Sequence, residues 1–128
     1  MVIHESTNSA LGSNKWRLAT LGPLDKAPRL ERLKLGISKI EDMDISSLLK
    51  STNLKRVVIN RDVFTLEDFA RIYATLKNTS MYPDKPFEIF EGDNFAYATG
   101  TNRQLKINSP KLIELQKKWD EIVKENDG

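Results

Sequence analysis

The chain has 128 residues, of which 39% are hydrophobic and 30% charged. This balance suits one globular domain with a modest core and excludes a disordered chain. The formal net charge is +2, too small an excess to mark a nucleic-acid binder by itself. No cysteine is present, so a disulfide framework, a thiolate nucleophile and the usual structural zinc sites are all ruled out.

Residues 1–14 are polar, with Ser, Thr, Asn and Gly crowding "ESTNSALGSN", and they read as a loose lead-in. The start has no basic residues followed by a long apolar run. No window approaches the roughly 18 to 20 apolar residues that span a bilayer. A cytoplasmic location with no membrane partner is the expectation. A single domain over 15–128 follows. Its first run, "KWRLAT", alternates Trp16, Leu18 and Thr20 with Lys15, Arg17 and Ala19, which predicts a short strand. "LGPLDKAPRL" is broken by Gly22-Pro23 and Ala27-Pro28, so no long helix forms there. "LERLKL" puts Leu33 and Leu35 inward and Lys34 outward, as a strand does. Asp44 stands as the N-cap of a short helix whose Ile45, Leu48 and Leu49 share a face. "NLKRVVIN" is a second strand, with Leu54, Val57 and Ile59 inward and Arg56 and Val58 outward.

"TLEDFARIYATLKN" is a helix with Leu66, Phe69, Ile72, Tyr73 and Leu76 on one face. Thr65 and Asp68 resemble a capping box, and Asn78 offers a left-handed end. "TSMYPDKP" reads as a loop around two prolines. "FEIF" and "FAYAT" flank Gly92-Asp93-Asn94, the signal of an antiparallel hairpin, and "RQLKIN" gives a further extended run. Ser109 and Pro110 open a final helix with an apolar stripe of Leu112, Leu115, Trp119 and Ile122.

Two of these strands repeat a phrase. Leu30, Leu33 and Leu35 stand at one common offset from Leu54, Val57 and Ile59, inside the roughly 20–29-residue period of leucine-rich repeats. The segment from about 18 to 60 resembles that family through Leu24, Pro28, Leu30, Leu33 and Leu35, then Leu49, Asn53, Leu54, Val57 and Ile59. The family's Asn after the strand is present as Asn60, while Gly36 takes that place in the first copy. The resemblance implies an α/β fold: a short β/α stack with parallel strands over about 18–78, closed by a β-hairpin and a C-terminal helix over about 79–126. After Phe64 the pattern fails, leaving two copies where a free-standing solenoid wants about three.

The resemblance also implies a binding face. Members of the family commonly bind partners through the open face of the sheet. Here that face carries Arg32 and Lys34 in one copy and Arg56 and Val58 in the next, with Arg17 extending the row from the first strand. Such a basic patch complements an acidic protein surface. Tyr82, Phe90 and Tyr97 are alternative aromatic anchors.

Signals of chemistry are weak beside this. The only histidine, His4, sits in the lead-in, where nothing orients a catalytic base. Glu41, Asp42 and Asp44 lack the spacing of a calcium loop. Glu88, Glu91 and Asp93 lie near Tyr97 and Arg103, a set that a glycoside hydrolase needs held at defined separations. The expectation is a non-enzymatic protein-binding module with no metal, cofactor or small-molecule substrate. More loosely, the chain resembles small bacterial immunity proteins, which implies neutralising a toxin by occluding its site. An adaptor or scaffold of the leucine-rich repeat type, a small carboxylate-dependent hydrolase and an RNA-binding domain are the alternative readings.

Overall fold

The computed structural model describes residues 2–4, 17–18, 21, 24–25, 29–36, 39–40, 44–101 and 103–126, with residues 2–4, 17–18 and 39–40 described as backbone only. In chain order the elements are β1 (Val2–His4), β2 (Arg17–Leu18), β3 (Arg32–Gly36), β4 (Lys39–Ile40), α1 (Ser46–Leu49) and β5 (Arg56–Ile59). They continue with α2 (Leu66–Thr75), β6 (Ser80–Tyr82), β7 (Phe87–Ile89), β8 (Phe95–Ala98), β9 (Gln104–Lys106) and α3 (Pro110–Asn126). The fold is mixed α/β, with a parallel four-stranded sheet in the order β1-β3-β5-β6, a two-stranded sheet β2-β4 and an antiparallel sheet β7-β8-β9.

Burial fixes the register of the parallel sheet. Leu33 lies beside Val57, and Val57 beside Met81. All three are at most 7% exposed, so they form a buried row behind the sheet. The next row pairs Leu35 with Ile59, both 1% exposed. From β3 to β5 to β6 each strand repeats the last at an offset of 24 residues, from Arg32 to Arg56 to Ser80. The layer behind keeps the same beat. Leu21, Ile45 and Phe69 stand 24 apart, as do Leu24, Leu48 and Ile72, and all six are buried. Backbone bonds tie the strand entrances together: Lys55 N and Arg56 N donate to Glu31 O, and Ser80 N donates to Lys55 O.

The third strand is a departure from the sequence reading, which treats "TSMYPDKP" as a loop and ends the pattern at Phe64. Met81 stands where Leu33 and Val57 stand, but Asn78 and Pro83 occupy the two positions held by leucine or isoleucine in the earlier copies. The buried geometry continues although the leucine spelling does not. Burial of Met81 and a Thr79 Oγ1 bond to Leu54 O, at 2.6 Å, hold the strand in place.

Three further expectations are corrected. Val2–His4 is a strand paired in parallel with β3, where a loose lead-in is expected over 1–14. The β-branched pair Val2-Ile3 suits a strand, and β3 offers it an edge. Residues 5–14 lie outside the described set, as do Trp16, the Gly22-Pro23 and Ala27-Pro28 turns, Glu41 and Asp42. The strand carrying Arg17 does not join the main sheet: Arg17 pairs with Lys39 and Leu18 with Ile40. β1 has taken the place beside β3 that would have let Arg17 extend the row. Asn78 is not left-handed, since the positive-φ residues among those described are glycines alone. α2 ends earlier, at Thr75, with Leu76 as its C-cap.

Local capping follows the sequence more closely. Thr65 Oγ1 accepts the Asp68 N–H at 3.1 Å and opens α2. Asp44 is not the N-cap of α1, which is Ile45 with no side-chain cap bond, but Asp44 Oδ1 accepts Ser46 N–H at 2.9 Å one residue ahead of it. These bonds to Ser46 hold the Asp44 carboxyl below the ordinary carboxylate range. Ser109 Oγ accepts Lys111 N–H ahead of α3.

α3 packs along α2. Trp119 is 4% exposed and its ring lies 5.6 Å from that of Tyr73. Lys118 pairs with Glu67 across the same contact, and its ammonium holds the Glu67 carboxyl below its ordinary value. Burial acts the other way at Asp68 and pushes its carboxyl up.

The β8–β9 turn closes on α2 through Gly100. Its φ is +93°, and a Cβ there would meet Leu66 N at 2.6 Å. Gly92, at φ +84°, has open space around it. Gly92→Ala carries the left-handed cost alone, about 1 kcal/mol, whereas Gly100→Ala adds a backbone clash and costs about 3 kcal/mol or more. Urea melts of the two variants should separate by that difference. Equal losses would mean that the turn does not sit against α2.

Candidate functional site

Alternation along the strands puts one set of side chains in the core and the other set outside. On β3, Arg32 and Lys34 are exposed while Leu33 and Leu35 are buried. On β5, Arg56 is exposed and Val58 is half-buried, between the buried Val57 and Ile59. The register then brings four of the five expected site residues together. Arg32 stands beside Arg56, and Lys34 beside Val58. Arg17 is not among them, because its strand pairs with β4.

β6 carries both rows further. Ser80 follows Arg56, and Tyr82 follows Val58. Arg56 Nη1 donates to the neutral Ser80 hydroxyl at 3.2 Å. Glu31, just ahead of β3, pairs with Lys55 at 3.1 Å. The outer face carries Arg32, Lys34 and Arg56 over β3 and β5, and Ser80 and Tyr82 at β6.

Beyond β6 the face meets the antiparallel sheet through Arg61. The Arg61 side chain is 13% exposed, and its guanidinium makes four kinds of contact. Nη2 donates to the Tyr82 hydroxyl at 2.7 Å and to Glu88 Oε2 at 3.2 Å, and Nη1 donates to Tyr97 O at 3.1 Å. Its Cζ lies 5.6 Å from the Phe90 ring centre and 5.5 Å from that of Tyr97. The two rings lie 5.3 Å apart. The Tyr82 hydroxyl in turn donates to Glu88 Oε2 at 2.7 Å. Burial and the Glu88 carboxylate hold the Tyr82 phenol above its ordinary value, against the opposing pull of Arg61.

Tyr82, Phe90 and Tyr97 were legible as aromatic candidates, and the structure gathers them. Arg61, which joins them, was missed. It follows the second strand, outside any periodic pattern, so spacing alone gives no sign of its role. Glu88 is engaged by Arg61 and Tyr82, while Asp93 Oδ2 accepts the Tyr97 hydroxyl at 3.5 Å. The other side of the antiparallel sheet holds a separate groove of about 640 Å³, lined by Phe87, Ile89, Ile107, Leu112 and Ile113 together with polar residues of α3. Among the described residues there is no cluster of three or more His, Asp or Glu suited to a metal ion, and no helix is long and apolar enough to cross a membrane.

No family model matches the chain, and no characterised protein or solved structure is significantly similar to it.

The Tyr82 arrangement has a pH signature. A phenol whose folded pKa is raised contributes stability that is fully present below its unfolded value, near 10, and is lost as pH rises through the folded value. Absorbance at 295 nm should show a tyrosine component ionising above that value, and Tyr82→Phe should remove this late component at a cost of about 1 kcal/mol. Arg61→Ala should delay the ionisation further and destabilise the fold by about 2–3 kcal/mol, because it strands a half-buried carboxylate. A late component that survives Tyr82→Phe would refute this assignment.

Proposed function

We propose that this chain is a non-enzymatic protein-binding module of leucine-rich repeat type, and that its interface is the outer face of the parallel sheet. One observation carries the reading: the register stands Arg32 beside Arg56 and Lys34 beside Val58, outside a sheet whose other side is core. A rigid scaffold presents these groups at fixed spacing, neighbouring strands being about 4.8 Å apart. The 24-residue beat through three strands supports the repeat-type reading, because it supplies the third copy that two leucine phrases lack.

The partner is an acidic protein surface, drawn in by charge and held by contacts around Val58 and Tyr82. The role that suits such a module is immunity: it neutralises a cognate bacterial toxin in the cytoplasm by covering its active or docking site. Occlusion needs no chemistry from the module and only a standard interface of about 1,600 Å² in total. A scaffold role would use the same face.

The test is binding of the product of the neighbouring gene, which the immunity reading expects to be a toxin, measured by titration calorimetry. Wild-type protein should bind tightly. The triple variant Arg32→Glu, Lys34→Glu, Arg56→Glu should bind at least about 100-fold more weakly with an unchanged circular dichroism spectrum, since like charges now face each other across the interface. Undiminished binding by the triple variant would move the interface off this face. A neighbouring gene of metabolic function, with no binding of its product, would remove the immunity role.

A further inference from the structure

We infer that the partner segment read by this face is bipartite, with acidic residues over β3 and β5 and, beyond a short neutral spacer, an aromatic side chain on the Phe90–Tyr97 shelf. The inference rests on the protein-binding reading and specifies its ligand chemistry. Phe90 is 43% exposed although it is large and aromatic. It is braced from two sides, by the Tyr97 ring at 5.3 Å and by the Arg61 guanidinium at 5.6 Å. Arg61 is itself fixed by Tyr82, Glu88 and the Tyr97 carbonyl. An exposed ring held rigidly loses little entropy on binding, which is the property of a hot-spot residue.

Charge divides the surface into two zones. Arg32, Lys34 and Arg56 make the β3–β5 zone positive. Around the shelf the charge is balanced or negative: Glu88 neutralises Arg61, and Glu91 and Asp93 are exposed at the hairpin turn. An acidic chain is favoured over the first zone and opposed over the second. The group that fits the shelf is therefore neutral and flat. The same division disfavours single-stranded RNA, whose phosphates would have to run past Glu91 and Asp93 to stack a base on Phe90. Two strand spacings, about 10 Å, separate Lys34 from Tyr82 across the sheet. The shelf lies one guanidinium beyond Tyr82, so a spacer of about five extended residues reaches it.

The probe is a synthetic peptide with three glutamates, five Gly/Ser residues and one Trp, titrated into the full chain and followed by amide NMR shifts. A peptide with Ala for Trp and an oligouridine of matched length are the comparisons. The expected result is joint perturbation of β3–β5 and of Phe90 and Tyr97, with about fivefold to tenfold weaker binding for the Ala peptide. Phe90→Ala protein should lose that same advantage. Equal binding by the Trp and Ala peptides, with shifts confined to β3 and β5, would overturn the bipartite inference and leave the basic interface standing. No binding by either peptide would overturn the bipartite inference, while the charge-reversal titration decides the basic interface. Tighter binding of oligouridine than of the Trp peptide, with shifts at Phe90, would replace the protein ligand by RNA.

Discussion

Two arginines stand side by side on neighbouring strands because of what lies behind them. Burying Leu33, Val57 and Met81 in one row, and Leu35 with Ile59 in the next, contributes about 1.5–3 kcal/mol for each side chain. Placing Arg32 directly beside Arg56 costs a fraction of a kcal/mol at an exposed position. Burial wins by an order of magnitude, and a slip of one residue would turn every leucine to water. The cationic face is thus a consequence of the core. The chain tolerates the like charges at small cost.

The same constraint governs the helical side. α1 has four residues and α2 has ten, yet Leu48 and Ile72 fall one 24-residue step apart and both are fully buried. The step is preserved because each unit must deliver its strand to the same depth in the sheet. α3 then covers α2 through Trp119 and the Lys118–Glu67 pair. Arg61 performs the equivalent task at the other sheet, drawing Tyr82 of the parallel sheet and Glu88 of the antiparallel one onto a single guanidinium.

Much of this was legible where the residue types are unambiguous. Leucines two apart in "LERLKL" admit one strand orientation, and Thr65 before "LEDFARIYATL" marks a helix start. The hairpin follows from Gly92, and α3 from Ser109-Pro110. The third strand was hidden because Met81 is its one apolar match in the leucine pattern, and Asn78 and Pro83 blur the rest. The role of Val2–His4 was hidden because three residues carry little periodicity, and their pairing depends on an edge far along the chain. That pairing also removes Arg17 from the face, since only one strand can lie on that side of β3. The Arg61 cluster brings together residues from 61 to 97, and no local pattern encodes contacts of that range.

The central claim is the parallel register that gives β3 and β5 a common outward face. The cysteine-free chain permits a direct test by cross-linking. Register partners on adjacent strands stand about 5 Å apart, within the Cα range a disulfide tolerates. The double variant Lys34→Cys, Val58→Cys should close an intramolecular disulfide under mild oxidation and keep its cooperative melt. The pair Lys34→Cys, Ile59→Cys should remain as thiols, because Ile59 faces the core. Ready closure of the second pair with failure of the first would place the strands out of step and contradict the account.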